Sequence, residues 1–275
     1  MPGVVEDVVY VVGTSVADVV SESIGITKLL TVVFHVGLTA AMLLWIRAGR
    51  IFKRINYKGE NFMNEYLEKI VEVKKQRMTE AYKKHHMELI FMENAEELKA
   101  YLKGILHSQK TVCVGGSQTL FETGVIDLIR NSDVTFYDRY EEGLTPAQIQ
   151  DVFRKGFFSD IYFTSTNALT TDGCLYNIDY TGNRVASMIF GPKEVYVIAG
   201  KNKVFDSEAS AIEHVKNVAC PANCARYHRD TPCVKLGKCM ECASDEKLCS
   251  SYVKMGFQKE VNRIKVIVLN EEYGF

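Results

Sequence analysis

Short apolar runs alternate with helical patterns along most of this chain. The runs Thr111–Val114, Val134–Tyr137, Ile161–Thr164 and Glu194–Ala199 predict buried strands. Segments with helical spacing lie between them, and the clearest start is at residues 145–148, where a capping box has proline in the first turn. This alternation predicts an α/β fold, with a Rossmann-like, layered and mainly parallel sheet flanked by helices.

Small and polar residues follow two of these strands directly. Gly115, Gly116 and Ser117 come after the first strand, and Thr166 and Asn167 come after the third. Ligands of open α/β sheets bind outside the carboxyl ends of the strands, so we expect these residues to bind an anionic small molecule. The alternative is a tight turn in which Ser117 caps a helix. The glycines fit neither the dinucleotide fingerprint nor a P-loop, so there is no nucleotide motif.

Three more polar residues complete the predicted ligand site. Asn183 and Arg184 begin a helical pattern, and Asp172 lies in an Asp-Gly turn. Arg184 could hold a carboxylate or phosphate in a bidentate fork, and Asp172 could serve as a general base. Asp172 and Arg184 are therefore the predicted catalytic pair. The alternative is that these Asn and Asp side chains only cap their own turns.

Six of the eight cysteines crowd between positions 220 and 249. The last four of them, Cys233, Cys239, Cys242 and Cys249, have the pattern C-x5-C-x2-C-x6-C, whose central pair has metal-chelating spacing. These four are the predicted metal ligands of a cysteine-rich knuckle, with Cys220 and Cys224 as possible additions. Zinc and an iron–sulfur cluster both accept four thiolates, and redox-active disulfide exchange is a third option.

The segment Ala168–Gly200, ALTTDGCLYNIDYTGNRVASMIFGPKEVYVIAG, resembles the signature of the lactate-utilisation (LUD) domain family. The resemblance extends more loosely over residues 63–275. It implies a fold similar to those of ribose-5-phosphate isomerase, glucosamine-6-phosphate deaminase and the CoA transferases. In the family, the later four cysteines recur more often than those at positions 220 and 224.

Two functions from different classes follow from the resemblance and the residues together. The first is a subunit or accessory protein in lactate utilisation, the oxidation of lactate to pyruvate, with iron–sulfur redox proteins as partners. The alternative is a small-molecule enzyme, isomerase-like or CoA/acyl-transferase-like, that acts on a phosphorylated or carboxylated substrate. Whether the protein catalyses a reaction at all is left open by the sequence.

Residues 1–62 differ from the rest and form a predicted N-terminal extension to the α/β domain of residues 63–275. Residues 29–46 are an uncharged apolar run followed by basic residues, which is typical of a short transmembrane helix with the main domain in the cytoplasm. The alternative is that translation starts at Met63, which gives a cytoplasmic protein. The net charge of −1 and the lack of a basic stripe argue against a nucleic-acid partner.

Overall fold

The computed structural model describes residues 64–275. The two alternatives for the N-terminal extension, a membrane span at residues 29–46 or a start at Met63, lie outside the described residues, so the domain boundary stays a prediction. Between residues 64 and 275, no helix is both long enough and apolar enough to cross a membrane.

Ten strands and nine α-helices make up the described region. The strands are β1 (Glu88–Met92), β2 (Thr111–Val114), β3 (Thr135–Tyr137), β4 (Ile161–Thr164), β5 (Ala168–Thr170), β6 (Leu175–Asp179), β7 (Glu194–Gly200), β8 (Val204–Phe205), β9 (Ser251–Met255) and β10 (Ile264–Leu269). The helices are α1 (64–84), α2 (Ala95–Lys103), α3 (Gln118–Glu122), α4 (Val125–Arg130), α5 (Pro146–Gly156), α6 (Asn183–Ile189), α7 (Glu208–His214), α8 (Cys220–Arg226) and α9 (Pro232–Leu236). A π-helical turn, Val215–Ala219, joins α7 to α8, and a 3-10 turn, Lys201–Lys203, follows β7.

The larger sheet has six strands in the order β1-β10-β7-β4-β2-β3, and every neighbouring pair is parallel. The predicted α/β fold with a parallel sheet and flanking helices is therefore confirmed. Parallel strands are covered on both faces, and the side chains of β7 show it: Val197 points to one apolar cluster, whereas Tyr196 and Ile198 point to the other. The core thus consists of two layers, one on each face of this sheet.

The second sheet was not predicted from the sequence. It has four strands in the order β8-β5-β6-β9, with antiparallel pairs on either side of β6 and a parallel pair between β5 and β8. The first two strands of the segment Ala168–Gly200, β5 and β6, belong to this small sheet, and the segment's last strand, β7, returns to the main sheet. The small sheet also brings β9, which comes after the cysteine-rich segment, beside β6.

Local start and stop signals set the helix ends. Asn94 caps α2 by accepting hydrogen bonds from two backbone N–H groups, and Thr145 with Gln148 forms the expected capping box of α5. The stretch between the glycine turn and β3 forms two helices, α3 and α4. Gly124 divides them, because its left-handed backbone, with φ of 71°, ends one helix before the next begins.

Candidate functional site

The carboxyl ends of four neighbouring strands open onto one cavity of about 340 Å³. Residues that follow β2, β3, β4 and β7 line it on one side, and residues of α6 and α8 line the other. We call this space the cationic cavity, because its basic lining residues come from four segments of the chain. They are Arg139, Arg184, Lys203, Arg226 and Arg229. This is the position at which open α/β sheets bind ligands.

Six of the predicted ligand residues meet in this cavity: Gly116, Ser117, Thr166, Asn167, Asn183 and Arg184. The structure does not place Gly115 or Asp172 among the lining residues. Ser117 also caps α3, because its Oγ accepts a hydrogen bond of 3.3 Å from the backbone N–H of Leu120. The two interpretations of Ser117, a ligand-loop residue and a helix cap, are therefore compatible.

Arg184 is buried, and its guanidinium is already bonded within the protein. One Nη atom donates to the Ser165 carbonyl at 2.9 Å and to Asn177 Oδ1 at 2.6 Å. The other donates to Asn167 Oδ1 and the Ile178 carbonyl, both at 3.0 Å. All four Nη hydrogens thus hold the cavity wall together, which ties α6 to β6 and to the end of β4. A bidentate bond from Arg184 to a ligand would have to replace some of these contacts.

Gly115 supports the site from behind the cavity wall. A Cβ atom at this position would lie 2.8 Å from Thr164 Oγ1 and 3.0 Å from both Arg184 Cγ and the Tyr162 hydroxyl. Real Cβ atoms essentially never approach another atom as closely as 2.8 Å, so a larger residue after β2 would displace Thr164 and press on Arg184 and Tyr162. The glycine allows the close approach of backbone and arginine, and it is not one of the residues that line the cavity.

Asp172 lies in the turn between β5 and β6. Its Oδ1 accepts a hydrogen bond from Thr170 Oγ1, and the next residue, Gly173, has the left-handed φ of 95° that such a turn uses. The predicted catalytic pair of Asp172 and Arg184 is not brought together in one cavity. The carboxylate that does lie beside Arg184 is that of Asp179, with 3.6 Å between Arg184 Nε and Asp179 Oδ2.

Several cations of the cavity have no carboxylate beside them. Arg229 forms an ion pair with Glu246 at 3.0 Å. Arg139 stacks on the rings of Tyr140 and Phe153, and in the described part of the chain no acidic side chain pairs with it. Arg226 likewise bonds only to neutral oxygens, those of Gln118 and Asn223, and its buried Nε has no partner. The cavity therefore carries uncompensated positive charge.

Lys203 was not singled out by the sequence, and it is the most buried cation of the cavity at 3% exposure. Burial, together with the nearby charge of Arg184, lowers the pKa of its ammonium group to about 7. The sequence around it, Lys-Asn-Lys, is typical of a solvated turn, so only the three-dimensional position distinguishes this lysine. It adds to the cavity an amine that is largely uncharged above neutral pH.

A second cavity, of about 530 Å³, lies next to the first and contains sulfur. All six clustered cysteines line it, and we call it the thiol cavity: Cys220, Cys224, Cys233, Cys239, Cys242 and Cys249. The segment between α9 and β9, residues 237–250, has no regular helix or strand. The predicted knuckle stays a prediction, but all its predicted ligands and both additions face one space.

The surroundings of these thiols suit a metal centre in part. Backbone N–H of Glu241 donates to Cys239 Sγ at 3.4 Å, and the Thr231 hydroxyl lies 3.2 Å from Cys233 Sγ. Burial raises the pKa of Cys220, and the neighbouring thiols raise it further, which keeps this group protonated without a metal. Within residues 64–275 no three side chains already stand in metal-binding geometry. The donor set fits a metal cluster, provided the sulfurs draw together.

The two cavities share a wall. On α8, Cys220 and Cys224 line the thiol cavity, whereas Asn223 and Arg226 line the cationic cavity. Ile178 on β6 lines both. One helix, α8, and one strand, β6, therefore separate the thiol cavity from the cationic cavity.

Comparison with known proteins identifies the family. The family model described as LUD domain matches residues 75–269, which is most of the chain. This chain belongs to the LUD domain family. A search of curated proteins finds no match. Among solved structures, this chain is similar to a DUF162 family protein from Deinococcus radiodurans, whose crystal structure was determined at 1.70 Å resolution. The two sequences are 13% identical, and the TM-score is 0.41. The alignment covers 72% of this chain and 96% of that chain.

For this LUD domain protein, the resemblance carried by the segment Ala168–Gly200 is confirmed. That segment forms β5, β6, α6 and β7, and it supplies the wall between the two cavities together with α8. The further likeness to sugar-phosphate isomerases, deaminases and CoA transferases stays a prediction. LUD domain membership relates the protein to lactate utilisation. Its substrate and role depend on what the two cavities can bind.

Proposed function

We propose that this LUD domain protein binds a small carboxylate or phosphate in the cationic cavity, as a component of lactate utilisation. Lactate and pyruvate are carboxylates small enough for a space of about 340 Å³. The family supports the pathway, and the charge of the cavity supports the ligand class. The same cavity would serve the alternative function, an isomerase or acyl transferase acting on an anionic substrate.

The observation that carries this proposal is that two guanidinium groups of the cavity, those of Arg139 and Arg226, have no carboxylate partner within residues 64–275. Positive charges that are partly removed from water cost free energy unless an opposite charge compensates them. A bound anion would supply that compensation and would occupy the unused hydrogen-bonding capacity of Arg226 Nε. The neutral hydroxyl and amide groups of Thr166 and Asn167 would then orient it.

The test is calorimetric titration of the full chain with lactate, pyruvate and inorganic phosphate. We expect saturable binding of at least one of these anions, and an affinity about tenfold or more weaker for Arg226→Gln, because a charge-assisted hydrogen bond is lost. Arg154→Gln is the matched control, since Arg154 is exposed on α5 and is not itself one of the lining residues. If none of the anions binds, or if Arg226→Gln binds as well as the control, the proposal is wrong.

A second function is favoured by a separate observation, the six thiols that line one cavity. We propose that the thiol cavity holds an iron–sulfur cluster and that the protein exchanges electrons with redox proteins of lactate oxidation. One zinc ion takes four thiolates at about 2.3 Å and leaves no open space between them, whereas six thiols around about 530 Å³ offer more ligands and more room. Bound there, such a cluster would supply one-electron transfer.

The anaerobic absorption spectrum and the metal content of the purified protein test this second function. A brown protein that bleaches on reduction and contains iron supports the electron carrier. A colourless protein with one zinc per chain would contradict it and make the thiol cavity a structural site. Absence of both metals after anaerobic reconstitution would leave only thiol chemistry for the six cysteines.

A further inference from the structure

Lys203 is held at the bottom of the cationic cavity by two hydroxyl groups. Its Nζ donates to Thr119 Oγ1 at 3.0 Å and to Ser165 Oγ at 3.2 Å. In the region the structure describes, no carboxylate forms an ion pair with it. The side chain is 3% exposed, yet it is one of the residues that line the cavity. An amine in this position is shielded from bulk water and accessible to a bound ligand.

The two hydroxyls act as acceptors toward the amine. Thr119 Oγ1 donates its own proton to the Tyr273 carbonyl at 3.3 Å, and Ser165 Oγ donates to the Thr166 carbonyl at 3.2 Å. Both oxygens therefore meet Nζ with lone pairs. A neutral amine that donates two N–H bonds in this way keeps its own lone pair free.

Charged groups from three other elements face Lys203. Arg184 on α6 repels a proton on Nζ, and Glu122 on α3 has the opposite and smaller effect. His214 at the end of α7 is itself affected, because burial and then Lys203 lower its pKa. Burial is the largest influence on Lys203 and lowers its pKa to about 7. Lysines that are desolvated or placed next to another cation are the ones that act as nucleophiles toward carbonyl groups.

We propose that Lys203 forms a Schiff base with a small anionic carbonyl compound bound in the cationic cavity. This inference rests on the proposed anion binding and narrows the ligand class to a 2-oxo acid or a phosphorylated aldehyde or ketone. The amine lone pair attacks the carbonyl carbon, which gives a carbinolamine. Loss of water, which carries away the carbonyl oxygen and both amine hydrogens, leaves the C=N bond. No oxidant or reductant takes part.

Trapping with borohydride tests the proposal on the full chain. The protein is incubated with pyruvate or with dihydroxyacetone phosphate, then borohydride reduces any imine to a stable secondary amine, and peptide mass mapping locates it. We expect one adduct per chain, on Lys203, formed readily at pH 7.5. The two probes distinguish a carboxylate-bearing ligand from a phosphate-bearing one by which of them gives the adduct at the lower concentration.

Lys201→Met is the matched control, because Lys201 lies in the same 3-10 turn and is exposed. It should form the adduct as the natural chain does, whereas Lys203→Arg and Lys203→Met should not. Circular dichroism checks that both Lys203 variants fold; if they do not, the position of the adduct in the natural chain decides alone. Binding of pyruvate or phosphate without any adduct on Lys203 would overturn this inference and leave the proposed function standing. Absence of any anion binding would overturn both.

Discussion

The cationic cavity and the thiol cavity are neighbours that are built in opposite ways. The cationic cavity takes its basic residues from four segments between Arg139 and Arg229, which the fold brings together at the carboxyl ends of the parallel strands. The thiol cavity takes all its sulfur from one stretch, residues 220–249. One site is therefore a product of the sheet topology, and the other is a product of local sequence.

The two cavities should therefore respond differently to amino-acid substitution. A thiol can be removed from the thiol cavity without disturbing the parallel sheet, because none of the six cysteines lies on a strand of that sheet. The wall of the cationic cavity depends on Arg184, whose guanidinium donates four hydrogen bonds within it. A substitution of Arg184 therefore changes the stability of the fold as well as the ligand site. Substitutions that separate metal binding, stability and anion binding follow from this contrast.

The largest expected effect is on metal content. Cys233→Ser should reduce the metal bound after anaerobic reconstitution from stoichiometric to near zero, because a buried ligand of the cluster is lost. Cys113→Ser is the control, since Cys113 is a buried thiol on β2 outside the thiol cavity. Folding, followed by circular dichroism, should be unchanged in both variants. Equal metal content in the two would refute the assignment of the thiol cavity as a metal site.

The next largest effect is on stability. Arg184→Met should lower the free energy of unfolding by about 3–5 kcal/mol, because it leaves Asp179 and two backbone carbonyls without their partner. Urea denaturation measures it. Arg154→Met, on the exposed face of α5, should change stability by less than about 0.5 kcal/mol. Similar values for both arginines would show that the wall of the cationic cavity does not depend on Arg184.

Stability should also depend on pH through Lys203. Its pKa is about 7 in the folded chain and 10.5 as an ordinary lysine, so between these values the unfolded chain holds a proton that the folded chain lacks. The free energy of unfolding should then rise with pH, by up to about 1.4 kcal/mol per pH unit. In urea titrations between pH 7 and 10, the Lys203→Met variant should lack this rise, and Lys201→Met should keep it. A rise of the same slope in Lys203→Met would assign it to other groups.

The smallest effect is expected at the N-terminus of α5, at a residue that lines neither cavity. Thr145→Ala removes the capping box of α5 and should cost about 1 kcal/mol in urea denaturation. Metal content and phosphate affinity should both stay as in the natural chain. A change in either would mean that lower stability alone perturbs the two sites. The effects of Cys233→Ser on metal content and of Arg226→Gln on anion affinity would then have to exceed that change.

The parallel sheet could be predicted because its strands are short apolar runs bounded by turn residues. β2 and β4 have the predicted bounds, and the polar residues that follow them do line a cavity. The second sheet could not be predicted, since β5 and β8 have only three and two residues and show no periodicity. Pairing of β6 with β9 joins positions more than seventy residues apart, which local patterns do not encode.

The charge of the site was harder to predict than its location. Lys203 and Arg226 stand among ordinary polar neighbours, and only their burial and their lack of carboxylates distinguish them. Asp172, by contrast, has the residue type of a catalytic base, but its Asp-Gly pair forms the turn between β5 and β6. Residue type predicted what these side chains could do, and the topology decided which of them meet.

The two faces of α8 have a thermodynamic consequence. Cys220 and Cys224 face one cavity while Asn223 and Arg226 face the other, so a ligand that shifts this helix acts on both sites at once. Linkage then requires reciprocity: if a metal in the thiol cavity changes the affinity for an anion by some factor, the anion changes the affinity for the metal by the same factor. The seven residues of α8 are the element through which such a coupling would pass.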